Sequence, residues 1–190
     1  MNIILCRHGD RTPYGSDKIN PPVLTNNGIA QMRNIAKWSY QSHKIEGIYS
    51  SPKVRCIQSA MPTSEICNLP IHVLPFLIEH DSYGPLDYDS NLIAEYGSIL
   101  DSTEYLDNIP IREEKPFAYI RSQIALGLFR SRHEDQTIII FAHDCFNSIF
   151  IWAWQGLGCL TEEDRYYQNC GHVNLLFDGS PPIINMMIPT

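Results

Sequence analysis

The chain has little with which to hold a membrane, a nucleic acid or a structural metal. Past its opening residues the longest apolar stretch is 149–154, far short of the roughly 20 residues that span a bilayer. Basic residues number 14 against 21 acidic ones, a net charge of −7. That balance argues against nucleic acid or an anionic membrane as partner, although a pocket on an acidic protein can still be locally positive. Six cysteines, at 6, 56, 67, 145, 159 and 170, contain no pair separated by only two residues, so neither a zinc ribbon nor a redox pair is supported. Several lie in apolar runs, where a thiol behaves as a small hydrophobe; reduced core cysteines in a cytoplasmic setting are expected. The apolar start is broken by Arg7 and has no basic leader, which does not read as a signal peptide. No repeat or low-complexity tract appears. With 44% hydrophobic and 18% charged residues, the 190 residues read as one globular domain, 1–190.

What is present alternates between two periodicities. The continuous apolar run 3–6 reads as a strand buried on both faces. Thr25 caps a predicted helix to about residue 42, with Ile29, Met32, Ala36 and Tyr40 at helical spacing. A strand follows at 45–49. Ser51-Pro52 reads as a helix start, a hydroxyl cap followed by a proline that misses no donor, with the helix running to about 67. A third strand is expected at 71–74. Residues 80–115 are rich in Asp, Tyr, Ser, Gly and Pro and read as irregular cover, with one short helix near 90–99. Phe117, Ile120, Ile124 and Leu128 mark a further helix, 137–142 a central strand, 146–154 a helix, and 173–177 and 183–187 closing strands. This order predicts an α/β fold, a three-layer α/β/α sandwich around a mostly parallel sheet.

Three chemistry-bearing segments each follow a strand. Arg7-His8-Gly9-Asp10-Arg11-Thr12-Pro13 follows the first, Ser50-Ser51-Pro52 through Arg55 the second, and His143-Asp144 the strand 137–142. Open α/β sheets bind ligands at the carboxyl ends of their strands, so Arg7, His8, Arg55 and His143 are expected to converge. A histidine flanked by arginines suits a site that holds a phosphate monoester while an imidazole attacks it. His8 is the expected nucleophile. Arg7, Arg11 and Arg55 bind the non-bridging oxygens. His143 is a second donor, Gly9 lets the backbone approach the phosphate, and Gly9, Arg11 and Ser51 touch the substrate. The leaving group needs a proton, and Glu79 and Asp144 compete to supply it, with Asp10 a weaker third. Cys170 and His172 lack a matching pair of ligands, so no metal is expected.

These residues resemble the histidine phosphatase superfamily, which includes the phosphoglycerate mutases and the histidine acid phosphatases. Arg7-His8-Gly9 is similar to its nucleophile motif. Leu24-Thr25, Gly28 and Gln31 resemble its first helix start, Ser50-Ser51-Pro52, Arg55, Gln58 and Ala60 its second-arginine segment, and His143 its second histidine. The resemblance implies a phosphoglycerate mutase-like fold and a metal-independent phosphatase without cofactor, acting through a phosphohistidine on His8. Its partner would be a phosphorylated small molecule or phosphoprotein. His143-Asp144 looks like the acid phosphatase branch, where that aspartate donates the proton. The chain's size, and Leu77-Ile78-Glu79 with Gly84 and Leu86, look like the mutase-like branch, where the donor is the glutamate. Asp144 is preferred here because it adjoins a ligand of the same phosphate, with Glu79 retained beside it. A mutase and a catalytically weak phosphate-binding protein are the rival readings. Tyr14, Tyr83 and Tyr88 are candidate rim residues, and the sequence carries no signal for oligomeric state.

Overall fold

The computed structural model describes residues 1–13, 22–80, 115–157, 173–177 and 183–186. Of the cover expected at 80–115, residues 81–114 with the helix near 90–99 lie outside the described residues, as do Tyr14, Tyr83, Tyr88, Gly84, Leu86 and His172.

Six strands form one sheet: β1 (Asn2–Arg7), β2 (Ile45–Ser50), β3 (Ile71–Val73), β4 (Thr137–Ala142), β5 (Val173–Phe177) and β6 (Ile183–Met186). Their order is β3-β2-β4-β1-β5-β6. The first four are mutually parallel, while β5 runs antiparallel to β1 and β6 antiparallel to β5. The apolar runs explain the centre. Along β1, Ile3 and Leu5 enter one core while Ile4 and Cys6 enter the other; along β4, Ile138 and Ile140 oppose Ile139 and Phe141 in the same way. A strand whose consecutive residues are all apolar is stable only when buried on both faces, and each fully buried Ile is worth about 2 kcal/mol over exposure.

Helices α1 (Asn26–Ser42) and α2 (Val54–Cys67) cover one face, and α3 (Lys115–Arg132) and α4 (Asp144–Trp154) the other. Two expected faces are corrected. On α1 the inward residues are Gly28, Met32, Ile35, Ala36 and Ser39, and Tyr40 is exposed. On α3 the stripe Phe117, Ile120 and Ile124 points outward, while Ala118, Ser122, Ala125, Leu126 and Phe129 are buried. Three of these buried residues, Ala118, Ser122 and Ala125, are small and carry little apolar signal, so apolar spacing identifies this helix without identifying its buried face.

The helix start at Ser51-Pro52 is also corrected. Lys53 is the N-cap of α2 and makes no side-chain cap bond. The Ser51 hydroxyl lies short of the first turn, where it accepts from Lys53 N at 3.4 Å and lies 2.8 Å from His143 Nε2. Arg55 consequently sits at the second residue of α2, nearer the positive end of the helix than the sequence suggests.

The loop after β1 is clamped to α1 backbone against backbone. Thr25 caps α1 as expected, its Oγ1 accepting from Gly28 N at 3.0 Å and donating to Asp10 Oδ2 at 2.8 Å. A Cβ on Gly28 would lie 2.0 Å from the Asp10 carbonyl oxygen, and one on Gly9 2.7 Å from the Gly28 carbonyl oxygen. Gly28→Ala should therefore force the two segments apart. We expect it to destabilise the fold by about 3 kcal/mol, read as a lower urea midpoint with an unchanged slope.

Candidate active site

Strand register brings the three segments together. Arg7 on β1 is paired with Ala142 on β4, and Ser50 on β2 with Phe141. The next residues out are held the same way: His8 N donates to Ala142 O at 3.0 Å and Ser51 N to Phe141 O at 2.9 Å. His8, Ser51 and His143 thus emerge side by side at the carboxyl edge of three neighbouring parallel strands.

His8 is largely buried, and its Nδ1 lies 2.8 Å from the Gly9 carbonyl oxygen. A carbonyl can only accept, so Nδ1 carries the proton and Nε2 keeps its lone pair. Burial, with Arg55, Arg7 and Arg11 nearby, pushes the His8 pKa down to about 3. Loss of hydration and a set of cations both oppose a further positive charge, so the free imidazole is neutral over the whole physiological range.

His143 is fully buried, with its ring edge-on to His8 at 5.4 Å between centroids. Arg55 Nη2 approaches its Nδ1 at 3.3 Å. A guanidinium can only donate, so Nδ1 accepts and Nε2 donates to Ser51 Oγ. Burial first, then Arg55, holds the His143 pKa well below its ordinary value. The Cys56 thiol lies 3.5 Å from Nε2; burial pushes its pKa up to about 12, so it is an inert neighbour.

The two candidate acids differ in setting. Glu79 Oε1 accepts from His80 N at 2.9 Å and from Phe146 N, in the first turn of α4, at 3.0 Å. Both bonds and the helix end favour the carboxylate, yet burial outweighs them and pushes its pKa up to about 7. Asp144 opens α4 and pairs with Arg7, Oδ2 to Nη1 3.2 Å, both side chains more than a third exposed. Asp10 is outside this chemistry: its side chain holds Thr25.

A cleft of about 650 Å³ opens beside His8, lined by Arg7, His8, Gly9, Asp10, Arg11 and Pro13 from the loop and by Asn27 and Gln31 from α1. This is the size of a small-molecule site. Gly9 N donates to Ser59 Oγ, which donates to the Arg55 carbonyl oxygen at 2.6 Å. Ser59 therefore ties the nucleophile loop to the arginine helix. Sequence reading missed it, and it also missed two buried cations. Lys53 is only 3% exposed, and Arg121 on α3 lies over the Phe146 ring and donates to the Phe76 carbonyl oxygen at 2.7 Å. Both reach His143 electrostatically. A lysine or arginine in a helical segment ordinarily reads as solvated, so no sequence signal marked them. Among the described residues no cluster of three or more His, Cys, Asp or Glu is arranged to hold a metal ion.

A neutral histidine with one free nitrogen, set among guanidinium groups at the edge of a parallel sheet, defines an enzyme that handles phosphoryl groups through histidine. The chain belongs to the histidine phosphatase superfamily, branch 1, whose family model matches residues 3–188. No curated protein sequence matches it significantly. Among solved structures it is similar to the ecdysone phosphate phosphatase of Bombyx mori, at 16% identity and a TM-score of 0.73 over 100% of this chain and 94% of that one. It is also similar to a phosphoserine phosphatase variant from Entamoeba histolytica, at 19% identity and 0.63 over 97% and 95%. The alpha-ribazole phosphatase of Shigella flexneri matches at 19% identity and 0.58 over 83% and 81%. These likenesses carry the fold, a phosphoglycerate mutase-like α/β sandwich.

Proposed function

We propose that the protein hydrolyses phosphate monoesters of small molecules in two steps, without metal, and that Glu79 is the proton donor. His8 Nε2 attacks phosphorus while Arg7, Arg11 and Arg55 spread the charge of the transferring group. The ester oxygen leaves with the proton of Glu79. Water then attacks the phosphohistidine, passes a proton to the Glu79 carboxylate, and releases inorganic phosphate with His8 restored. His143 keeps Arg55 in place and, being neutral, adds no charge that would dampen the nucleophile. Ser51 supports it.

The observation that carries this reading is the pair of opposed titrations. His8 is held deprotonated, with a pKa of about 3, and Glu79 is held near 7, so base and acid coexist in their working forms at neutral pH. The same contrast supports Glu79 over Asp144, whose carboxylate faces Arg7 in an ion pair. The guanidinium groups supply the charge that a metal would otherwise bring. Cys6, Cys56, Cys67 and Cys145 are free thiols, as the reading of a cytoplasmic enzyme requires, and no helix among the described residues is long and apolar enough to cross a membrane.

Rapid quench with a radiolabelled phosphate ester should trap one phosphoryl group per chain, stable in alkali and lost in acid, with and without chelator. Release of inorganic phosphate should follow. Isomerisation of 3-phosphoglycerate in the presence of its bisphosphate, without phosphate release, would instead select a mutase.

A further inference from the structure

Arg7 is half-exposed at the mouth of the cleft and already holds an anion, the Asp144 carboxylate at 3.2 Å. The other oxygen, Asp144 Oδ1, is buried and has no hydrogen-bond partner among the described residues. Among the described residues, then, this carboxylate is held by Arg7 and not by a wider network. An ion pair this accessible to water is weak. A phosphoryl dianion presents more charge, and it meets a guanidinium through two parallel hydrogen bonds. The same arginine cannot offer its full fork to both.

We propose that Asp144 is an exchangeable counter-ion for Arg7, displaced when a phosphoryl group enters and returning as inorganic phosphate leaves. The inference rests on the phosphatase reading above and assigns regulation of that site: Asp144 sets how tightly product phosphate is held. The carboxylate occupies Arg7 in the empty site and must be displaced before phosphate can bind. That competition weakens phosphate binding, and product release limits turnover in many enzymes. Asp144 is thus a positioning residue for Arg7, not the proton donor.

Calorimetric titration of the full chain with inorganic phosphate at pH 7 tests this. Asp144→Asn should tighten the dissociation constant about tenfold, with a matching fall in the product-inhibition constant for phosphate. In an Arg7→Ala background the same substitution should change phosphate affinity by less than threefold, because nothing remains to be released. A thermal melt of each variant confirms folding. Phosphate affinity unchanged or weakened in Asp144→Asn overturns the exchange, as does equal tightening in the Arg7→Ala background, which would mean simple repulsion through space. If Asp144→Asn leaves phosphate affinity alone but slows esters of poor leaving groups selectively, the residue is the acid and the exchange is wrong. Normal phosphate binding with a trapped phosphohistidine leaves the phosphatase reading standing in each of these cases. A wild-type chain that binds no phosphate overturns both.

Discussion

His8→Ala is expected to lower kcat/KM for an aryl phosphate by roughly 10⁴-fold or more, since it removes the atom that bonds to phosphorus. The trapped phosphoenzyme should vanish with it. Substrate affinity should change far less, because Arg7, Arg11 and Arg55 remain. The pH profile of the wild type carries the matching signature. With the His8 pKa near 3, no acid limb from this residue should appear in kcat/KM between pH 5 and 7. A limb near the ordinary histidine value, about 6.5, would count against the burial that the fold imposes. Turnover that survives His8→Ala would remove the mechanism altogether.

Glu79→Gln is the second large effect. For an alkyl phosphate it should lower kcat/KM by roughly 10²- to 10³-fold, the usual worth of a positioned general acid. An aryl phosphate needs less help for its leaving group and should lose much less in kcat/KM. Yet kcat should fall for both esters, because the second step needs the carboxylate as base. The wild-type alkaline limb near pH 7, set by the Glu79 pKa of about 7, should disappear in this variant. Stability should move the other way. The Glu79 pKa is raised in the fold from an ordinary 4.5, so its protonated form is favoured there. Its contribution to stability is complete below 4.5 and is lost as pH rises through 7. Glutamine carries no such titration and can still accept from His80 and Phe146. Glu79→Gln should therefore melt higher than wild type at pH 8, with the gap closing at pH 5.

Much of this site is legible in the residues alone because its parts sit at strand ends. An apolar run such as Ile3 to Cys6 has one stable home, the sheet interior, and a charged residue following it must lie at the sheet edge. That logic places His8 and His143 without coordinates. It does not give the register that pairs Arg7 with Ala142. Nor does it show that the Ser51 hydroxyl serves a histidine and not a helix cap. Both depend on contacts 90 or more residues apart in sequence. The contest between Glu79 and Asp144 likewise turns on burial: in the sequence both are carboxylates just beyond an apolar segment and next to a histidine, and only the packing of the sheet edge separates a desolvated acid from a half-exposed ion pair. Lys53 and Arg121 were missed for the same reason, since a buried cation has the sequence pattern of a solvated one. On α3 the error ran the other way, and the residues that look like core are those left outside.

The glycine contact between the loop after β1 and α1 has a consequence for how this enzyme could be altered. With Gly9 and Gly28 back to back and Asp10 N donating to Gln31 Oε1 at 2.9 Å, the loop that carries the attacking imidazole is fixed against α1. Gln31 is committed to that loop, whereas Asn27 lines the cleft on an exposed position of α1, so a change at Asn27 alters the cleft wall without loosening the loop. Selection for a new metabolite has somewhere to act that leaves the reaction itself in place.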